Sequence, residues 1–178
     1  MSVDRINKSD IKEKSKKIIQ PNKQGNIYIG KYDKEDYLSG YLPEKISGSV
    51  IFGVYIPKFN KKLKEVGGNY VCSDCNLTSL EGAPEKVGGH FDCGDNKLTS
   101  LKGGPKEVGG DYMCWNNELT SLEGAPEKIG SGVLWCKHNP NLSSEKIIEY
   151  SKTHPDIIIK TDKVHYKNGE KGVWLTKI

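Results

Sequence analysis

Apolar residues recur along this chain at two spacings at once, one of two residues and one of 21. The long spacing is marked by Val66, Val87, Val108 and Ile129. The short one is marked by Tyr70/Cys72, Phe91/Cys93, Tyr112/Cys114 and Leu134/Cys136, between which Val71, Asp92, Met113 and Trp135 vary freely. Alternation over so few residues predicts a short strand buried on one face only. A repeated unit too small to bury its own apolar face gains a core by stacking on its neighbours, so the copies predict a solenoid whose strands form one parallel sheet.

Each copy reads Pro-x-x-Val, two small residues, then x-aromatic-x-Cys-x-x-Asn-x-Leu-Thr-Ser-Leu. Asn96, Asn117 and Asn139 follow the cysteine, where a side-chain amide satisfies backbone groups left unpaired as the chain turns off the strand; Cys75 takes that place in the first clear copy. Leu77/Leu80, Leu98/Leu101 and Leu119/Leu122 are core candidates behind the sheet. The segments Gly82-Ala83-Pro84, Gly103-Gly104-Pro105 and Gly124-Ala125-Pro126 predict an extended return with no room for a helix. Degenerate copies reach back through Ile46, Val50 and Phe52 to a start near Pro21, giving about six coils over residues 21–142.

The run aromatic-x-Cys-x-x-Asn-x-Leu-x-x-Leu resembles the leucine-rich-repeat consensus, and the Pro followed by an aliphatic is similar to the short bacterial subclass with a Pro-containing convex segment. The resemblance implies a right-handed β-rich solenoid with a concave parallel sheet. It also implies a setting, since the "LTSLEGAP" wording looks like repeats of phage-encoded proteins and such arrays occur in bacterial effectors that grip a host target.

A stack of strands exposes two edges that need covering. Residues 1–20 predict an N-terminal helical cap with Ser9 at its start and Ile11, Ile18 and Ile19 on one side. Residues 143–178 predict a C-terminal cap. It comprises a helix begun at Ser143 or Ser144 and stopped at His154-Pro155, a β-rich run at Ile157–Ile159, and a hairpin at Asn168-Gly169 joining Val164-His165-Tyr166 to Val173-Trp174-Leu175.

Composition narrows the function classes. Of the 178 residues, 28% are charged and 35% hydrophobic, with no apolar run long enough for a membrane span and no signal-like N-terminal stretch, so a cytoplasmic protein of the producing or infected cell is expected. The net charge of +4 rests on lysines of the N-terminal segment, read as a solvated helix face. Cys72-x-x-Cys75 invites a zinc or redox reading, yet both positions are accounted for by the repeat and a zinc site needs four converging ligands. No metal or cofactor is expected.

The outward strand positions are Tyr28, Ile51, Val71, Asp92, Met113 and Trp135, with Trp115, Asp74, Asp95, Asn116 and His138 beside them and His90 and Asp111 on the other flank. Aromatic anchors among acidic groups suit a protein interface, and the acids argue against nucleic acid and for a partner with a basic and apolar surface. The plainer reading is that outward positions simply tolerate variety, with Trp115 and Trp135 leaning on one another. His90, Asp92 and Asp111 form the one candidate acid/base cluster, on a surface too open to exclude water. The expectation is therefore a non-catalytic module that binds a host or defence protein through its concave sheet. The alternative is a targeting or structural subunit of a larger assembly, self-associating as a homodimer through a terminal coil.

Overall fold

The computed structural model describes residues 21–30, 42–59, 63–162 and 165–172. They form a β-solenoid of about six turns with two parallel sheets. Each full turn contributes one strand to each sheet. The first sheet runs β1 (Ile27–Ile29), β3 (Val50–Phe52), β5 (Tyr70–Val71), β7 (Phe91–Asp92), β9 (Tyr112–Met113) and β11 (Val133–Trp135). The second consists of β2 (Lys45–Ile46), β4 (Glu65–Val66), β6 (Lys86–Val87), β8 (Glu107–Val108) and β10 (Lys128–Ile129). The return segment is thus itself a narrow sheet, built on the valine of each Pro-x-x-Val.

Register follows the repeat. Ile27, Val50, Tyr70, Phe91, Tyr112 and Leu134 are successive partners, and all are buried. A second inward row holds Ile29, Phe52, Cys72, Cys93, Cys114 and Cys136. The Leu pairs close the core from behind, as their spacing predicts. Tyr70 and Phe91 stack at 5.7 Å between ring centroids, and Phe91 and Tyr112 lie 4.9 Å apart, so the aromatic positions form a continuous pile along the axis.

The buried amides act as inter-coil clamps. Asn96 Oδ1 accepts from the Cys75 and Leu77 N–H groups at 3.2 and 2.8 Å, while its amide nitrogen donates to the carbonyls of Cys72, Cys93 and Gly94. Asn117 and Asn139 repeat the pattern one and two coils on. Each amide therefore bonds its own turn and the one before it, which ties the coils together where the ladder ends.

Beyond β11 the first sheet goes on. β12 (Ile158–Lys160) pairs in parallel with β11 and continues the first sheet, then β13 (His165–Lys167) and β14 (Glu170–Gly172) extend it antiparallel. The Asn168-Gly169 turn has φ of 50° and 76°, the geometry a two-residue hairpin demands. The described part of the return strand is Glu170–Gly172, since a two-residue turn pairs its immediate neighbours, while Val164 and the expected Val173–Leu175 lie outside the described residues. Helix α1 (Ser144–Thr153) is capped by Ser143, buries Ile147 and Ser151, and is pinned by Tyr150 Oη donating to the Pro126 carbonyl at 2.7 Å. The N-terminal helical cap expected over residues 1–20 lies outside the described residues. Among the described residues no helix is long and apolar enough to cross a membrane.

Candidate functional site

The alternation that buries Tyr70 and Cys72 turns Tyr28, Ile51, Val71, Asp92, Met113 and Trp135 outward in one column, each registered on the next. The column is graded. Tyr28 and Ile51 are 61% and 38% exposed, Tyr55 of the second coil is 48% exposed, and these are the large exposed hydrophobics among the described residues. Val71, Asp92, Met113 and Trp135 are half-buried by their neighbours. β12 adds Lys160 at the far end, a residue missed from the sequence because the run before it reads as part of a separate lid.

The two tryptophans take different environments and do not form the mutual pair considered from the sequence. Trp115 lies across Gly94 of the preceding coil, where an added Cβ would stand 2.6 Å from the indole Cε2. Trp135 donates from Nε1 to Asp111 Oδ2 at 3.2 Å, and its ring is flanked by Lys160 Nζ at 4.0 Å and Lys137 Nζ at 5.5 Å. Its N–H is satisfied by a carboxylate and its ring is met by two cations, which suits Trp135 to a half-buried place on the surface.

The flanking polar residues fall into two ladders. On one side each side chain accepts the backbone N–H of the next coil. Asn26 Oδ1 takes Ser49 at 2.7 Å, Ser49 Oγ takes Asn69 at 2.9 Å, Asn69 Oδ1 takes His90 at 2.8 Å, and His90 Nδ1 takes Asp111 at 2.9 Å. Asp111 then receives the Ser131 hydroxyl as well as Trp135. His90 and Asp111 are thus brought together as links in a backbone ladder.

On the other side Asp74, Asp95, Asn116 and His138 all have positive φ, between 50° and 53°. Asp, Asn and His are the non-glycine types that tolerate this left-handed turn, so their recurrence there has a backbone cause. Asn116 Nδ2 donates to Asp95 Oδ1, and His138 pairs with Asp162, backbone N to Oδ2 at 2.9 Å and Nε2 to Oδ1 at 3.1 Å.

Asp92 stands apart. Its Oδ1 accepts the Gly94 N–H at 2.9 Å and the Ser73 hydroxyl also reaches the carboxylate. Burial raises the carboxyl above its ordinary value, and those two donors work against that. Among the described residues no lysine or histidine pairs with it.

The cysteines are internal. All five are free and buried. Cys72, Cys93 and Cys136 donate from sulfur to the carbonyl of the next strand, at 3.2, 3.3 and 3.5 Å, while Cys75 donates to the Ser73 carbonyl at 3.3 Å. Cys72 and Cys75 therefore aim at different acceptors and share no site. Burial pushes every one of these thiols up, Cys75 to about 11 and Cys136 to about 12. Among the described residues no group of His, Cys, Asp and Glu is placed to hold a metal ion.

No protein-family model matches this chain, and neither does any curated protein or solved structure.

Proposed function

We propose that this protein is a non-catalytic binding module of the short bacterial leucine-rich-repeat type, and that it grips a target protein on the concave face of its first sheet. The observation that carries the reading is the exposed column headed by Tyr28 and Ile51. Large apolar side chains held outward by a rigid sheet are costly in water and pair well with a partner. The groups a catalytic cluster would need are engaged in structure: His90 accepts from the Asp111 backbone, and the Asp111 carboxylate serves Ser131 and Trp135. The setting, that of a phage or bacterial effector-like inhibitor acting on a host or defence protein, rests on the resemblance of the repeats.

Site-specific photo-crosslinking tests the reading. A photoreactive residue in place of Ile51 should capture one defined protein from the natural host, and the same residue in place of Lys86 on the second sheet should not. The captured protein should bind the purified chain, with affinity lost in Ile51→Asp and Trp135→Ala. Equal capture from both faces, or unchanged affinity in both variants, overturns the proposal.

A further inference from the structure

We infer that Asp92, Gly94 and Trp115 form a seat for the guanidinium group of an arginine on the bound protein, an assignment that rests on the concave-face reading. Three features meet at Gly94. Its N–H holds one oxygen of Asp92, its missing side chain lets the Trp115 ring lie across it, and the two together set a carboxylate beside an aromatic face. Above and below Asp92 in the same column stand Val71 and Met113, apolar surfaces on which a side-chain stem can rest.

Many of the other acids described around this fold are engaged. Glu65, Glu85, Glu107, Glu123 and Glu149 are in ion pairs, Asp162 pairs with His138, Asp95 receives Asn116, and Asp111 receives Trp135. Asp92 shares with Asp95 and Asp111 the condition of a half-buried carboxylate with donors but no counter-cation among the described residues, and of the three it is the one that stands in the outward column, between Val71 and Met113. A cation brought by a ligand would complete it. Arginine suits the place better than lysine because a guanidinium is planar, weakly hydrated and able to stack on an indole while sharing hydrogen bonds with a carboxylate. An ammonium group would give up more hydration for the same contact.

The test titrates the full chain with N-acetyl-arginine amide and, separately, with N-acetyl-lysine amide, following the indole N–H resonance of Trp115 by NMR, assigned with Trp115→Phe. A saturable shift is expected with the arginine compound, and binding should weaken about tenfold in Asp92→Asn, which keeps the Gly94 contact while removing the charge. Gly94→Ala should also abolish it by displacing the ring, whereas Glu85→Gln on the other sheet should have no effect. A shift that never saturates, equal binding of both amides, or full binding by Asp92→Asn overturns the assignment. Loss of arginine binding with crosslinking from Ile51 retained refutes the seat and leaves the concave-face reading standing; saturation without that crosslinking supports the seat alone.

Discussion

Gly104 stands where the hydroxyl of Tyr112 arrives, and a methyl group added there would lie 2.9 Å from that oxygen. The other copies show the same relationship in reverse. Ala83 precedes Phe91 and Ala125 precedes Leu134, side chains without a hydroxyl. The exchange of Ala for Gly in the fifth coil thus answers the exchange of Phe for Tyr in the strand that follows. The Tyr112 hydroxyl is turned toward the weakly accepting Cys93 thiol and has no well-formed hydrogen bond.

A buried hydroxyl without a partner costs about 1 to 3 kcal/mol. Tyr112→Phe should therefore leave stability unchanged or raise it, while Gly104→Ala should lower it by about 1 to 3 kcal/mol through overpacking. Combined, the two changes should recover most of the loss. Urea midpoints of the four proteins measure the coupling, and simple additivity would contradict the contact.

His90 serves the ladder through one atom, Nδ1, which accepts the Asp111 N–H. His90→Ala should cost about 1 kcal/mol, and His90→Asn, which places an amide oxygen where Asn69 already uses one, should restore it. Thermal melts of the three proteins decide the matter. An alanine variant as stable as the parent would remove the ladder role.

The thiol column makes stability fall at alkaline pH. Each buried thiol has its folded value raised above the unfolded one, so its contribution is intact below about pH 8.5, the unfolded thiol range, and is lost as pH rises towards the folded value. Above that range each such thiol should lower stability by about 1.4 kcal/mol per pH unit, because the unfolded chain sheds a proton the folded one retains. Denaturant curves from neutrality to pH 10 measure the slope, and Cys136→Ala should reduce it by one thiol's share. A flat profile would refute the burial assigned here. Thiol reagents at neutral pH should react only after unfolding.

The second sheet carries charges that alternate from coil to coil. Lys45, Glu65, Lys86, Glu107 and Lys128 are registered partners, with Lys45 to Glu65 at 2.8 Å and Lys86 to Glu107 at 3.4 Å. The neighbouring row Glu44, Lys64, Glu85, Lys106 and Glu127 alternates in the opposite sense. Removing one coil, residues 85–105, would set Glu65 against Glu107 and Lys64 against Lys106, while removing residues 64–105 would keep the alternation. The first deletion should lose more stability per coil in low salt, by about 0.3 to 1 kcal/mol for each like pair, and about 1 M salt should abolish the excess. Equal salt dependence of the two deletions would show that these pairs do not define the coil order.

Much of this molecule is legible in one dimension. A 21-residue period with an apolar residue at every second strand position allows only stacked coils with Cys72, Cys93 and Cys114 inside, since a slip of one residue would expose the whole row. The amide positions Asn96, Asn117 and Asn139 follow from the same logic, as does the Asn168-Gly169 turn. The outward residues could be named from the sequence, but their partners could not.

What only the folded chain decided is how outward side chains lie relative to other coils. Alternation states that Trp115 and Trp135 leave the core; it does not state that one lies over Gly94 and the other is held between Asp111 and Lys160. Nor does it reveal that β12 continues the sheet, or that the Asp92 carboxylate is held by the Gly94 N–H beside the Trp115 ring. The physical reason is one of range. Burial acts on every copy alike and so prints a periodic signal in the chain, whereas surface contacts join single residues from different coils and leave no period to read.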